Sequence, residues 1–513
     1  MLATIVTILS AVAPDEHTTF SLVLSRQRPN ALSEAVAAVS EPESARFRKY
    51  LNDSEIATLL APTGLSTVES WIKRTVPGAS FVRHAHGSGQ VLQVSATTAE
   101  VTALLGVRLE RFGKLLRSAE HTEIPPLPAS VAPHIDAVLG VFDRPPPAAT
   151  RPRLYRTSGS RASCQFKGDI IDPTILAKQY GWPAATMGSG SVSQGVAAFE
   201  DAEFKPSDVA AFEAAYSLPN VSLSIKGPND GGFFGEASLD TQYIMASGAG
   251  VPAWFLSQEA FDLAGWCEMV LTVSPLPTVW SVSWGGGESN YPIDAQRAAD
   301  DCFARAALKG VTVLAASGDD GTGSHGGLFG CKAFDPTYPA SCPHVTSVGA
   351  TYLDSGTEIG WSSSGGGFSS NWPQPAWQQP AVSAYAAKAT LPPTSLYNSS
   401  GRVTPDVSAL GTCYQVFSGG GPVGTLSGTS AATPTFAGMI SRINDARVAK
   451  GKPTVGFINP MLYKAGSVGT DIVAGNNKKS GCKAGFPAVA GFDAVTGLGT
   501  PLWGRLQQVL EEA

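Results

Sequence analysis

The sequence predicts an α/β fold, a doubly wound parallel sheet, preceded by a smaller α+β unit. Three observations carry this. From about Cys164 onward, nearly continuous apolar strands alternate with helical patterns of about 10–15 residues, as in a parallel sheet buried on both faces. Before that point, strands and amphipathic helices follow one another in a different order. Between the two, residues 144–161 hold five arginines, four prolines and no acidic residue, around the stretch RPPPAATRPRLYR. Such a stretch is an exposed, extended, protease-sensitive linker. With 513 residues the chain is also too long for a single core.

In chain order, Leu2–Ala13 is a short apolar run ending Ala11-Val12-Ala13, which suits signal-peptidase cleavage although a basic start is missing. In the first unit, Phe20–Leu24 and Val91–Val94 read as strands, and Ala31–Val39, Asp53–Leu60, Leu65–Thr75 and Ala99–Leu104 as helices. In the second, strands are expected at 195–200, 222–226, 252–257, 278–284, 311–316 and 345–349. Helices are expected at 207–216, 236–249, 295–309 and 431–449. Only 15% of residues are charged and the net charge is −6, which excludes a general polyanion binder; no basic cluster reads as a nucleic-acid footprint. No later apolar run is long enough to span a membrane. Sequons at Asn52, Asn220 and Asn398 and seven cysteines without zinc-type spacing favour a secretory or lysosomal route. Cys331 and Cys342 flank a short loop and could pair.

The chemistry gathers around Gly424–Pro434, GTLSGTSAATP. Ser430 follows a turn of small residues and opens a helix, at the positive end of its dipole, where a substrate carbonyl can approach closely. By itself a Gly-x-Ser is more often the N-cap of a buried helix. A serine nucleophile needs a base, usually histidine. Five of the seven histidines (His17, His84, His86, His121, His134) precede the linker, leaving only His325 and His344 beyond it. Neither stands in a motif that opens a helix, and His344 lies in a Cys-Pro-His turn.

Carboxylates are the next candidates. In GEASLD, Glu236 and Asp240 stand at i and i+4, so on a helix they share one face. Elsewhere such a pair is an ordinary solvated acidic face. Here the neighbours Phe233, Phe234, Ala237, Leu239, Ile244 and Met245 are apolar or small, so the helix should be buried. Two adjacent buried carboxyls cannot both ionise easily, and their pKa values split. Such a pair can accept a serine proton in acid, where histidine is already protonated. Asp319, in VTVLAASGDDG, follows a strand at the carboxyl edge of the sheet, where α/β sites form. It is either a turn residue or, when protonated, a hydrogen-bond donor to a tetrahedral oxyanion.

GEASLD, SVSWG, ASGDDG, TYPASCPHVTSVGAT, SSGGGFS, GRVTPDVSA, SGTSAATP and GFDAVTGLGTP occur in this order. Together they resemble the sedolisins, or serine-carboxyl peptidases, from about residue 16 to 510. The resemblance implies a subtilisin-like sheet, an activation prosegment and one structural calcium ion. It assigns Ser430 as nucleophile, Glu236 as general base, Asp240 as the group orienting Glu236, and Asp319 as the oxyanion acid. It carries the calcium site onto the Asp471 and Asp493 side chains and the Ile472, Val489 and Gly491 carbonyls, a hard oxygen shell. Plain turn chemistry would equally explain those two aspartates. Trp284, Phe492 and Val489 depart from the family's usual Tyr, Trp and Gly; Val489 would conflict with a positive φ.

The apolar start gives residues 1–13 as a candidate signal peptide; on the resemblance 14–143 are the prosegment, 144–166 the linker with a maturation cut within Ser158–Lys167, and 167–513 the peptidase. The implied function is an acid-activated zymogen that hydrolyses peptide bonds through an acyl-enzyme, releasing tripeptides from free N-termini. A broad acid endopeptidase of the same family is the alternative. A non-catalytic secreted binding protein and a neutral subtilisin-type protease are disfavoured by the four intact site residues and by the histidine count. Expected partners are peptide or protein substrates and the chain's own prosegment, with no nucleic acid or membrane, and a monomer in the lysosome, vacuole or extracellular space. The prosegment histidines suggest charging near pH 6 as a release trigger, although exposed surface histidines explain them equally.

Overall fold

A computed structural model describes residues 12–83, 90–112, 115–118, 124–142, 155–156, 169–232, 235–323, 331–479 and 481–511. The apolar start up to residue 11, His84, His86, His121, His325, Cys164, Phe233, Phe234 and the expected cleavage window 158–167 lie outside them. Two compact units are present, one drawn largely from residues up to Pro146 and the other largely from residues after it.

The first unit is built on a four-stranded antiparallel sheet. His17–Leu24 runs between Val91–Thr97 and Ile135–Leu139, with Ser80–Arg83 outside Val91–Thr97. Alternation places Phe20, Leu22 and Leu24 on one buried face, opposite Leu92 and Val94. The helix Leu65–Thr75 covers that face with Val68, Trp71 and Ile72. Capping boxes at Asn52/Glu55 and Thr97/Glu100 start the helices Asp53–Leu59 and Thr98–Leu105.

The second unit is the doubly wound sheet. Its strands are β1 (Gln194–Ala198), β2 (Leu223–Lys226), β3 (Ala253–Ser257), β4 (Val279–Val282), β5 (Thr312–Ala316), β6 (Thr346–Asp354), β7 (Thr357–Gly360) and β8 (Val407–Leu410). They lie in the order β7-β6-β5-β4-β1-β3-β2, with β8 also pairing β6. All pairings are parallel except that of β7 with β6. Strands β1, β4 and β5 are buried along their whole length, which is why they read as unbroken apolar runs rather than alternating ones. Every strand and helix expected in this unit is present, with ends displaced by a few residues; β6 is the longest correction, continuing to Asp354 to pair with β7.

Two helices matter for the site: α1 (Gly235–Ser247) and α2 (Thr429–Ala449). They pack along each other, and both are buried well beyond an amphipathic stripe. An antiparallel hairpin, Tyr414–Ser418 with Gly421–Leu426, delivers the chain to α2. From the linker, Tyr155–Arg156 adds a third strand to that hairpin, Arg156 opposite Gly424 and Tyr155 opposite Thr425.

The expected pairing of Cys331 with Cys342 is not found. Cys331 is bonded to Cys482 across a separation of 151 residues. Cys342 is wholly buried, just ahead of β6, while Cys331 lies in a half-exposed loop, so short sequence spacing did not bring the two sulfurs together.

Candidate active site

The site forms at the carboxyl ends of β4 and β5, against the first turns of α1 and α2. Ser430 is the second residue of α2 and is 5% exposed. Its hydroxyl reaches the Ser283 carbonyl at 3.5 Å, a long contact that leaves it available to another acceptor. That acceptor is Glu236, in the first turn of α1, which interacts with both Ser430 and Asp240 one turn on. Neither oxygen of Glu236, nor Oδ2 of Asp240, has closed a well-formed hydrogen bond. Catalytic contacts often stay loose until substrate is bound.

Electrostatics follow from burial. Glu236 and Asp240 are 4% and 1% exposed. Loss of solvent, then the Asp240 charge beside it, raises Glu236 well above the usual carboxyl range, against the Ser430 hydroxyl that lowers it. Burial raises Asp240 likewise, opposed by the Ser283 hydroxyl, which donates to Oδ1 at 2.8 Å. With Oδ1 occupied, Oδ2 is left for a proton shared with Glu236. The two carboxyls are therefore coupled, and ionising one makes the other harder to ionise.

Asp319 follows β5. Its Oδ1 accepts from the Thr429 N–H at 2.7 Å and the Thr429 hydroxyl at 2.9 Å, which ties it to the residue next to Ser430. Burial lifts its carboxyl to about 6 in spite of those two donors. Below that pH it carries a proton and can donate to a developing oxyanion; above it, its charge would repel one. Ser430, Asp319, Ser283 and Thr429 all line one cavity of about 120 Å³. No histidine lines it among the described residues, and His344 lies against the Phe457 ring.

A 34%-identical relative spans almost the whole chain: "Tripeptidyl-peptidase 1" of Rattus norvegicus, covering 98% of this chain and 93% of its own length. The Homo sapiens protein of the same name matches to the same extent. The chain belongs to the sedolisin family. A family model described as "Pro-kumamolisin, activation domain" matches residues 6–144, and one described as "Subtilase family" matches 272–454. Among solved structures, Pseudomonas sedolisin, a serine-carboxyl proteinase, superposes with a TM-score of 0.54 at 24% identity, over 68% of this chain and 99% of its own. The chain is therefore a serine-carboxyl peptidase with a subtilisin-like fold, carrying the family's activation domain and acting on peptides.

Of the residues singled out in the sequence, this sedolisin brings Glu236, Asp240, Asp319 and Ser430 together. Sequence reasoning passed over Ser283 and Thr429, which hold the two aspartates; the signal was present, since both sit inside motifs, SVSWG and SGTSAATP. None of the other five singled-out residues lines the Ser430 cavity, and two pairs of them are hydrogen-bonded. Gly491 N–H donates to Asp471 Oδ2 at 2.8 Å, and Val489 N–H to Asp493 Oδ2 at 3.1 Å. Asp493 is buried and its Oδ1 accepts from the Val495 and Thr496 N–H groups. The Ile472, Val489 and Gly491 carbonyls accept no hydrogen bond among the described residues. Val489 is not among the residues with positive φ, so its side chain is no obstacle, while Gly491 at φ 89° needs glycine. Two carboxylates and three unengaged carbonyls in one loop cluster suit a hard cation.

Proposed function

We propose that this sedolisin is an acid-activated exopeptidase that releases tripeptides from free N-termini. Glu236 takes the Ser430 proton as Oγ attacks the scissile carbonyl carbon. Asp240, sharing its proton with Glu236 and anchored by Ser283, keeps the base in place and limits its charge. The tetrahedral oxyanion accepts a hydrogen bond from protonated Asp319. Glu236 then returns the proton to the leaving amine, and water repeats the cycle on the acyl-enzyme. The observation that carries this reading is a buried Ser–Glu–Asp set beside an aspartic acid lifted to about 6. Tripeptide release itself is supported by the likeness to the tripeptidyl-peptidases.

Calcium at Asp471, Asp493, Ile472, Val489 and Gly491 would supply structural cross-linking of two loops and no step of the reaction. We also propose that the enzyme is secreted or delivered to a lysosome or vacuole after loss of residues 1–13, that the prosegment is 14–143, and that self-cleavage in acid falls within 158–167 of the linker. It acts as a monomer. No helix among the described residues is long and apolar enough to cross a membrane.

The test is hydrolysis of matched free and amino-blocked peptides after acid incubation, with mass analysis of the products and of the new N-terminus. Tripeptide products from free peptides only are expected. Equal cleavage of blocked peptides at internal bonds would establish the endopeptidase alternative.

A further inference from the structure

The cavity in front of Ser430 holds more carboxylates than peptide hydrolysis uses. Besides Asp319 it is lined by Asp320 and Asp335. Asp320 is paired with Lys479 at 3.2 Å. Asp335 is half-buried and forms no ion pair among the described residues. Its carboxylate is nonetheless held rigidly. Ser289 N–H donates to Oδ1 at 3.1 Å and Ser289 Oγ to Oδ2 at 2.6 Å, two neutral donors that orient the group without neutralising it. Gly287 makes room for it, since a Cβ there would stand 2.1 Å from Oδ2.

The placement of this carboxylate is fixed by strand pairing. Gly286–Gly287 runs antiparallel to Thr337–Tyr338, and Gly286, Gly287 and Thr337 lie on the cavity wall that begins at Ser283. Thr337 packs against Gly318, next to Asp319. Asp335 stands two residues before Thr337 and lines the same cavity as Ser430. It thus borders the space that opens on the scissile bond, which a substrate side chain or the peptide's own terminus can enter.

We propose that Asp335 is a specificity-determining residue that receives a positively charged nitrogen of the peptide. Two parts of a substrate carry that chemistry: a lysine or arginine side chain preceding the scissile bond, and the free α-ammonium. This inference rests on the peptidase reading of the same site. An oriented carboxylate with no ion pair among the described residues, in a site from which substrate excludes water, favours such a group by about tenfold or more.

The experiment compares Asp335→Asn with the unaltered enzyme, both acid-processed, on two matched substrate pairs. One pair differs only in arginine against norleucine before the scissile bond; the other differs only in a free amine against its des-amino analogue. Within each enzyme the ratio of kcat/KM values cancels general damage to the fold. The expected result is that one of the two ratios collapses by about tenfold in Asp335→Asn. Collapse of the arginine ratio assigns the side chain, and collapse of the amine ratio assigns the terminus. If both ratios are unchanged in Asp335→Asn, the proposal is wrong. Failure of the tripeptidyl reading shows separately, as an unaltered enzyme indifferent to the amine, and leaves the arginine ratio readable.

Discussion

A serine hydroxyl is inert until its proton has somewhere to go, and in this molecule the destination is a carboxyl that burial has made basic. Glu236 in water would be too weak a base; stripped of solvent beside Asp240, it binds a proton more tightly. Glu236→Gln keeps the shape and removes the base, so kcat should fall by about 10²–10⁴, measured on enzyme processed by an added protease so that failed self-cleavage is not mistaken for failed catalysis. Asp319 gives a finer test. Asparagine donates a hydrogen bond at any pH, so Asp319→Asn should retain more activity than Asp319→Ala, and its rate should no longer decline as pH rises through about 6. Asp319→Ala should lose about 3–4 kcal/mol of transition-state stabilisation. Equal losses in both variants would show that the proton on Asp319 is irrelevant.

At the scale of elements, two supports hold the site. Ser283, just past β4, fixes Asp240; Thr429, at the start of α2, fixes Asp319. Ser283→Ala leaves Asp240 Oδ1 without its donor and should displace the pH profile more than it lowers stability. The proposed calcium site joins the loops around Asp471 and Asp493. Chelation of calcium, or Asp471→Asn, should lower the melting temperature of the processed enzyme by several degrees, read by calorimetry and restored for the parent by added calcium. No change on chelation would remove the metal from the account. Much of this was legible in the sequence because it rests on spacing. The i, i+4 carboxylates, the aspartate after an apolar strand and the serine before a helix each follow from local geometry. What escaped depends on tertiary approach. The Cys331–Cys482 bond joins distant segments, the Ser283 hydroxyl finds Asp240 only once β4 and α1 are packed, and Asp335 reaches the cavity only through pairing of two short strands.

Taken whole, the buried carboxyls tie the stability of the molecule, as well as its chemistry, to pH. Burial raises Glu236, Asp240, Glu288 and Glu358 above their ordinary values, Glu213 to about 7 and Asp319 to about 6. Each binds its proton more tightly folded than unfolded. The stability each contributes is full below its ordinary value, near 4, and is lost as pH rises through the raised value. The melting temperature should therefore fall between about pH 4 and pH 7, the reverse of ordinary acid denaturation, and fall less steeply when Glu236 and Asp240 are both replaced by their amides. The central claim, a serine activated by carboxylic acids in place of an imidazole, is tested most directly by the pH dependence of kcat/KM for the processed enzyme. The account predicts a rate that is highest in acid and declines above about pH 6; a maximum in neutral or alkaline buffer would contradict it.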